Sequence, residues 1–428
     1  VKGNYSTDDL IEGLKNEVLP IQTNQILEEL TEKGYLTEAY HSTDESLDVF
    51  WENKEINPFE MSKKLELCKI SIQIIGDTDK SEFLRACNNA DLNVVPESES
   101  ELHIVIADNY LVHELEAINK LFIQNNKPWM LLKPSGTELW IGPVFNGVIG
   151  PCWNCLQLRL ILFSRQSRHY QYLTGRELPP VQLARHPSAV SLCYHMAVLE
   201  VSKWINQPDD STISNGILSF DTEEMQREFH QLTQRPQCKA CGINKDETGN
   251  HKPIIPITKD SHDPVGNTFD GFRICAPEQT YNKYQHHISR ITGILPKIEP
   301  ADLSTNQWVH NFSAGKNMAL EGYTITAKEV NMRSYNGGKG KSEIQAKTSA
   351  LCEAIERYCM GYHNEGKLIR SSYDKLTNAL HPELLMNFSE YQYQNREDIN
   401  RNQARVFSRI PHRFNESEQL EWVANTSN

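Results

Sequence analysis

Two groups of residues in this sequence have the types and spacing to do chemistry. The first is a pair of cysteine knuckles. "PCWNC" sets Cys152 three residues before Cys155, and "QCKACG" sets Cys238 three before Cys241. Two C-x-x-C knuckles supply four thiolates, the full tetrahedral shell of a structural zinc. The stretch between Cys155 and Cys238 is longer than a zinc finger allows, so such an ion would clamp distant segments of one domain. With all four positions taken by protein, no place is left for water or substrate, which makes the role structural. Four buried or redox-active thiols are the competing reading. Cys68, Cys87, Cys193, Cys275, Cys352 and Cys359 are scattered and read as ordinary buried thiols.

The second group lies in "SYNGGKGKSEIQAKTSALCEAIERYCMGYH". "GKS" is not a Walker A loop, because the glycine required five residues before Gly340 is Tyr335. The stretch reads instead as a glycine-rich turn bearing Lys339 and Lys341 at the entrance to a helix, a place suited to anions. In that helix Ile344, Thr348, Leu351, Ile355 and Tyr358 or Cys359 form an apolar core stripe. Gln345, Ser349, Glu353 and Glu356 form a second, polar stripe. An amide, a hydroxyl and two carboxylates are oxygen donors suited to Mg2+ held jointly with a nucleotide's phosphates. Arg357 follows Glu353 by four residues and could pair with it, so a solvated, salt-bridged face stays open as a second reading.

The elements that must position these groups can be read along the chain. Residues 1–40 pattern as helix, turn, helix, strand: Ser6 caps the first helix, and Leu10, Ile11, Leu14 and Val18 line one face. The second helix, after Pro20, carries Ile26, Leu27 and Leu30 and stops at Gly34; "YLTEA" follows as a strand. This is a winged-helix pattern, but DNA is excluded as its partner. Residues 1–45 hold Lys2, Lys15 and Lys33 against ten acidic residues, and the second helix offers Glu28, Glu29 and Glu32 where a DNA reader needs Arg and Lys. A packing or dimerisation module and a peptide-binding winged helix both remain.

Residues 41–66 read as a linker. Then "ISIQIIG", a helix near 80–89, "LNVV", "LHIVIAD", a helix near 112–125 and "WMLLK" alternate as in a doubly wound parallel sheet. The loop after its first strand, "IIGDTDKS", has one glycine where a phosphate-binding fingerprint needs three, so this domain reads as a scaffold. A net charge of −13 argues against nucleic acid. Apolar runs such as "LRLILF" are too short for a membrane span, and no signal peptide is recognisable, so a cytoplasmic location is expected.

"GGKGKSEIQAKTSALCEAIERY", with its S-x-x-x-E-x-x-E pattern at Ser349, Glu353 and Glu356, resembles the opening ATP-binding segment of the YcaO superfamily. The cysteine pairs and "KPWMLLKPSGTELWIGPVF" resemble the E1-like domain fused ahead of it, and the first forty residues resemble the RiPP recognition element. This order is similar to that of fused cyclodehydratases of azoline-containing peptides, such as those of cyanobactin pathways.

The resemblance implies an α/β multidomain chain. Its parts would be a partial winged-helix module over 1–45, an E1-like, doubly wound, zinc-bearing domain over 67–265, and the N-terminal part of an α+β YcaO domain over 266–428. It implies ATP and Mg2+ at Ser349, Glu353, Glu356, Gln345, Lys339 and Lys341, and structural zinc at Cys152, Cys155, Cys238 and Cys241. Leader-peptide contacts fall on Gln25, Glu28, Glu29 and Glu32. The implied reaction closes Cys, Ser or Thr of a ribosomal precursor peptide onto the preceding amide, with a homodimer as the working form.

The chain begins without Met and ends at "EWVANTSN", partway through the catalytic domain so implied. It is therefore expected to be incomplete as an enzyme, and no general base is assigned. A non-catalytic leader-binding scaffold, a thioamide-forming relative and an adenylating E1-type enzyme are the alternatives.

Overall fold

The computed structural model describes residues 5–33, 35–36, 45–147, 149–163, 184–236, 238–242, 273–301, 308–316, 335–360, 368–385, 388–403 and 409–423. Two helices come first, α1 (Thr7–Leu14) and α2 (Pro20–Glu32). Ser6 caps α1 in a reciprocal box with Asp9, as its sequence predicts. The apolar faces assigned to this pair are not buried: Leu14 and Ile26 are exposed, Leu10, Ile11, Val18, Leu27 and Leu30 are half-buried, and Thr23 is the buried position of α2. Most of the strand expected at "YLTEA" lies outside the described residues.

The segment read as a linker instead holds α3 (Glu45–Glu52) and α4 (Pro58–Leu67). Asn57 accepts a hydrogen bond from the Glu60 amide, and Pro58 presets the first turn of α4. Trp51, Met61 and Leu65 then enter the main core. The polar composition hid a short apolar face.

Next come β1 (Lys69–Ile75), α5 (Ser81–Asn89), β2 (Asn93–Val94), β3 (Leu102–Ala107), α6 (Glu114–Gln124) and β4 (Trp129–Lys133), in the expected alternation. Strands β2, β1, β3 and β4 are parallel, and all six residues of the central β3 are buried. Here the expected all-parallel sheet ends. β5 (Glu138–Phe145) follows β4 after the short turn "PSGT", with Gly136 at φ +95°. That turn is too short for a crossover helix, so the chain must return antiparallel. β6 (Gly216–Asp221) and β7 (Gln226–Gln231) continue the antiparallel half of a mixed seven-stranded sheet, in the order β2-β1-β3-β4-β5-β6-β7. Helix α7 (Trp153–Phe163) starts inside the first cysteine knuckle, and α8 (Pro187–Asn206) packs Tyr194, Val198 and Val201 into the core on the sheet.

Farther along, α9 (Pro277–Tyr284) precedes an antiparallel sheet of β8 (Ile298–Pro300), β9 (His310–Lys316) and β10 (Tyr335–Gly340), ordered β10-β9-β8. The stretch "YNGGKG", expected as a turn, is strand β10. Helix α10 (Glu343–Met360) lies directly on it. A Cβ at Gly338 would fall 2.1 Å from the Ala346 carbonyl oxygen and 2.2 Å from the Ala350 nitrogen. These glycines serve close helix–strand packing. β11 (Leu368–Ser371) and β12 (Leu420–Val423), far apart in the chain, pair as a small antiparallel sheet. Among the described residues, no helix is long and apolar enough to cross a membrane.

Candidate functional site

The four cysteines of the two knuckles converge. Their sulfurs all lie within 4.8 Å of one another, with Cys152 Sγ 3.6 Å from Cys238 Sγ and Cys155 Sγ 3.4 Å from Cys241 Sγ. A tetrahedron with Zn–S bonds of about 2.3 Å has edges of about 3.8 Å, so the donor set fits that ion. Each knuckle is shaped by its own backbone. The Cys155 amide donates to the Cys152 carbonyl, and the Gly242 amide to the Cys238 carbonyl at 2.9 Å. The first knuckle is anchored by Trp153, whose amide donates to Asn119 Oδ1 and whose indole donates to the Tyr110 carbonyl. Hydrogen bonding with Cys152 holds the Cys238 and Cys155 thiols below their ordinary range, and Cys152 itself is pushed up. A metal ion would take over from these shared protons. Two residues join this cluster that the motif did not announce. The Arg235 amide donates to Cys155 Sγ at 3.4 Å, and Arg159 lies buried one turn along α7 from Cys155.

The other cysteines divide. Cys87 and Cys193 are buried, Cys68 and Cys275 are half-buried, and Cys352 and Cys359 are exposed, contrary to the expectation that all six are buried. Burial pushes Cys68 up to about 11 and Cys87 up to about 12, so both are ordinary unreactive thiols.

On α10 the structure separates two faces, though not quite those expected. The buried face is Ala346, Thr348, Ala350, Leu351, Ala354 and Tyr358; Ile344 and Ile355 are half-buried and Cys359 is exposed. The alanines displaced the isoleucines because only small side chains fit against the glycines of β10. On the polar face Ser349 and Glu356 are exposed, and Gln345 and Glu353 are half-buried. Glu353 makes two bonds: its Oε2 accepts from the Gly337 amide at 2.8 Å, and its Oε1 pairs with Arg357 at 2.5 Å. Gln345 Oε1 accepts from the Lys341 amide at 2.8 Å. The polar stripe is therefore sewn to the edge of the glycine strand. Lys339 sits on that strand and Lys341 just after it, both exposed. Gly338 and Gly340 both face α10, so Lys339 between them points to the other face of the strand, while Lys341 follows the strand beside Gln345. The Arg357 pair offsets the repulsion of the two glutamates.

At the C-terminal ends of β1 and β3, where a doubly wound domain would hold a nucleotide, the chain fills the space with its own groups. Arg185 pairs with Asp108 and donates to the Asp77 carbonyl and to Thr78 Oγ1, while Thr78 Oγ1 donates to Asp108 Oδ1 at 3.3 Å. A carboxylate there repels phosphate. Gln25, Glu28, Glu29 and Glu32 are all exposed on α2 and are brought near neither the cysteines nor α10 by any described contact.

Residues 337–427 match the family model described as YcaO cyclodehydratase, ATP- and Mg2+-binding. Among solved structures, the chain is similar to a "Heterocyclase in complex with substrate and Cofactor", at 29% identity and a TM-score of 0.82, over 98% of this chain and 57% of that one. It is also similar to the heterocyclase TruD, at 27% identity and a TM-score of 0.71, over 98% of this chain and 55% of that one. The chain thus spans little more than half the length of either. No curated protein sequence matches it.

Proposed function

We propose, from the match of residues 337–427 to the YcaO family, that this chain serves an ATP- and Mg2+-dependent cyclodehydration of a ribosomal precursor peptide. A Cys, Ser or Thr side chain adds to the preceding amide carbonyl and gives up its proton. The former amide oxygen takes the γ-phosphoryl of ATP and leaves as phosphate, the amide nitrogen loses its proton, and a thiazoline or oxazoline remains. Amide oxygen is too poor a leaving group to depart without such activation.

The observation that supports this reading is the polar face of α10, ordered against the glycine strand by the bonds of Glu353 and Gln345. Glu353 and Glu356 would hold Mg2+, with Ser349 and Gln345 as neutral oxygen donors and Lys341 near phosphate charge; Lys339, on the far face of β10, is placed less well for that role. When bound, Mg2+ neutralises the charge that builds during phosphoryl transfer. Cys152, Cys155, Cys238 and Cys241 would hold a structural zinc, whose tetrathiolate shell leaves no site for chemistry.

The module over 1–45 is read as the capture site for the leader peptide, with Gln25, Glu28, Glu29 and Glu32 at its surface. The exposed Leu14, Ile21 and Ile26 support an apolar partner there. Tethering a flexible substrate raises its effective concentration at α10. The regions 67–265 and 266–428 are read as the E1-like scaffold and the YcaO domain, and the working form as a homodimer in the cytoplasm.

Incubating the full-length protein with ATP, Mg2+ and a leader-bearing precursor tests this. Mass spectrometry should show loss of one water per modified residue, with ATP consumed. Glu353→Gln or Glu356→Gln should lower turnover about a hundredfold or more while leader binding is unchanged. Tight leader binding with no mass change would instead favour a non-catalytic leader-binding scaffold.

A further inference from the structure

Between the cysteine cluster and α10 lies a buried charge. Arg159 follows Cys155 by four residues on α7, so the two share a face of that helix. It is 3% exposed, and its Nε and Nη1 have no hydrogen-bond acceptor among the described residues. No described carboxylate pairs with it. The Tyr358 ring lies 4.4 Å from its guanidinium carbon, and Arg235, the Cys155 thiol, Cys359 and His287 are near enough to interact with its charge. Arg235 is itself 4% exposed. Two neighbouring guanidiniums in a dry interior repel each other, and a buried cation costs several kcal/mol to desolvate unless an anion sits beside it. Four thiolates around a dication carry a net charge of −2. Such a centre would place that anion one helical turn from Arg159.

The same helix carries the connection further. Leu158 and Phe163 of α7 pack against a cluster that joins Ile294, Leu295, Phe312 and Ala314 to Ala346, Ala350, Leu351, Ala354 and Tyr358 of α10. Tyr358 is thus held by aliphatic packing and by the guanidinium plane over its ring.

We propose that Arg159 is the buried counter-ion of the four-cysteine metal centre and, through its stack on Tyr358, the positioning residue that ties α10 to that centre. The inference rests on the zinc reading given above and adds a role for a residue outside the ligand set. Outer-shell partners of this kind typically alter metal affinity by about 10–100-fold.

The test compares Arg159→Met and Arg159→Lys in the zinc-loaded protein. Zinc release to a chromogenic chelator gives one readout, and amide hydrogen exchange over 346–358 gives the second. Arg159→Met should release zinc about 10–100-fold faster and raise exchange in α10. Arg159→Lys keeps the charge, so release should stay within about threefold of wild type, while exchange stays raised because an ammonium cannot stack as a plane. Arg159→Gln serves as the neutral variant if Arg159→Met does not fold. Release from the neutral variant at the wild-type rate, or equal release from the neutral and lysine variants, would overturn the inference while leaving the zinc reading intact. Wild-type protein purified without zinc would overturn both.

Discussion

The cysteine cluster and the polar face of α10 are opposite kinds of site. The cluster is deep, with Cys152, Cys155 and Cys238 buried, and its geometry is complete from four side chains of this chain alone. The polar face is shallow, and two of its four members are exposed. Its half-buried members are engaged in bonds to their own backbone and to Arg357. A site of the first kind supplies folding energy when its ion binds, because the unfolded chain has no such cage. A site of the second kind gives little stability and keeps its donors exchangeable, as the nucleotide site proposed above would require. The difference separates stability from chemistry, and mutations at the two places should separate in the same way.

The largest expected effect is on the cluster. Cys152→Ser should lose stoichiometric zinc and lower unfolding stability by several kcal/mol, read by denaturant titration with metal analysis. A stable, metal-free Cys152→Ser protein would break the comparison at its first term. Glu353→Gln offers the contrast. The Glu353–Arg357 pair is partly solvated, so its loss should change stability by less than about 1 kcal/mol even where turnover collapses.

Gly338→Ala should fall between the two. Its Cβ would meet backbone atoms of Ala346 and Ala350, which cannot rotate away, so α10 must shift off β10. A loss of about 1–3 kcal/mol is expected, together with weaker nucleotide binding measured by calorimetry. Unchanged nucleotide affinity would show that the seating of the polar face on the strand is irrelevant to its chemistry.

How much of this was legible in the sequence follows from the physics of each element. The two cysteine knuckles were, because a tetrahedral sulfur site demands both that residue type and that local spacing; only their meeting across a long stretch of chain needed the fold. The polar stripe of α10 was legible from helical periodicity, but its buried face was not. Ile344 and Ile355 outrank alanine on hydrophobicity, and only the folding of α10 back onto the glycines of the strand just before it makes Ala346 and Ala350 buried residues. "NGGKG" read as a turn for the same reason: glycine signals backbone freedom, whereas here it supplies room. The parallel half of the sheet was visible in its apolar runs, and the antiparallel half was decided by the length of one turn. Arg159 left a faint mark in its four-residue offset from Cys155 on an otherwise apolar helix, "WNCLQLRLILF".

A further effect lies at the seam between the sheet and the segment that leads to β8, and it depends on pH. His230 of β7 is fully buried. Its Nε2 bonds Ser219 Oγ and its Nδ1 bonds Ser289 Oγ, each at 2.8 Å, so the sheet is joined to the segment that leads to β8. Hydroxyls can donate to one ring nitrogen and accept from the other, which satisfies the neutral imidazole. Burial pushes His230 from its ordinary 6.5 down to about 4, and Glu228 Oε2, 3.7 Å from Nε2, is itself too solvated to reverse this. His287, pushed down to about 3 chiefly by burial, behaves alike. A base whose folded pKa is depressed gives stability that is fully present above its unfolded pKa, about 6.5, and lost as the pH falls toward the folded value. Each such histidine should cost about 1.4 kcal/mol by about pH 5.5. Thiolate protonation at a metal site would add its own acid sensitivity, so the informative quantity is the difference between wild type and His230→Asn in denaturant unfolding at about pH 7.5 and about pH 5.5. The variant should be less stable at the higher pH yet lose about 1.4 kcal/mol less on acidification. Equal losses would mean that His230 takes up its proton as readily in the folded chain as in the unfolded one, so that burial between two hydroxyls does not hold it neutral.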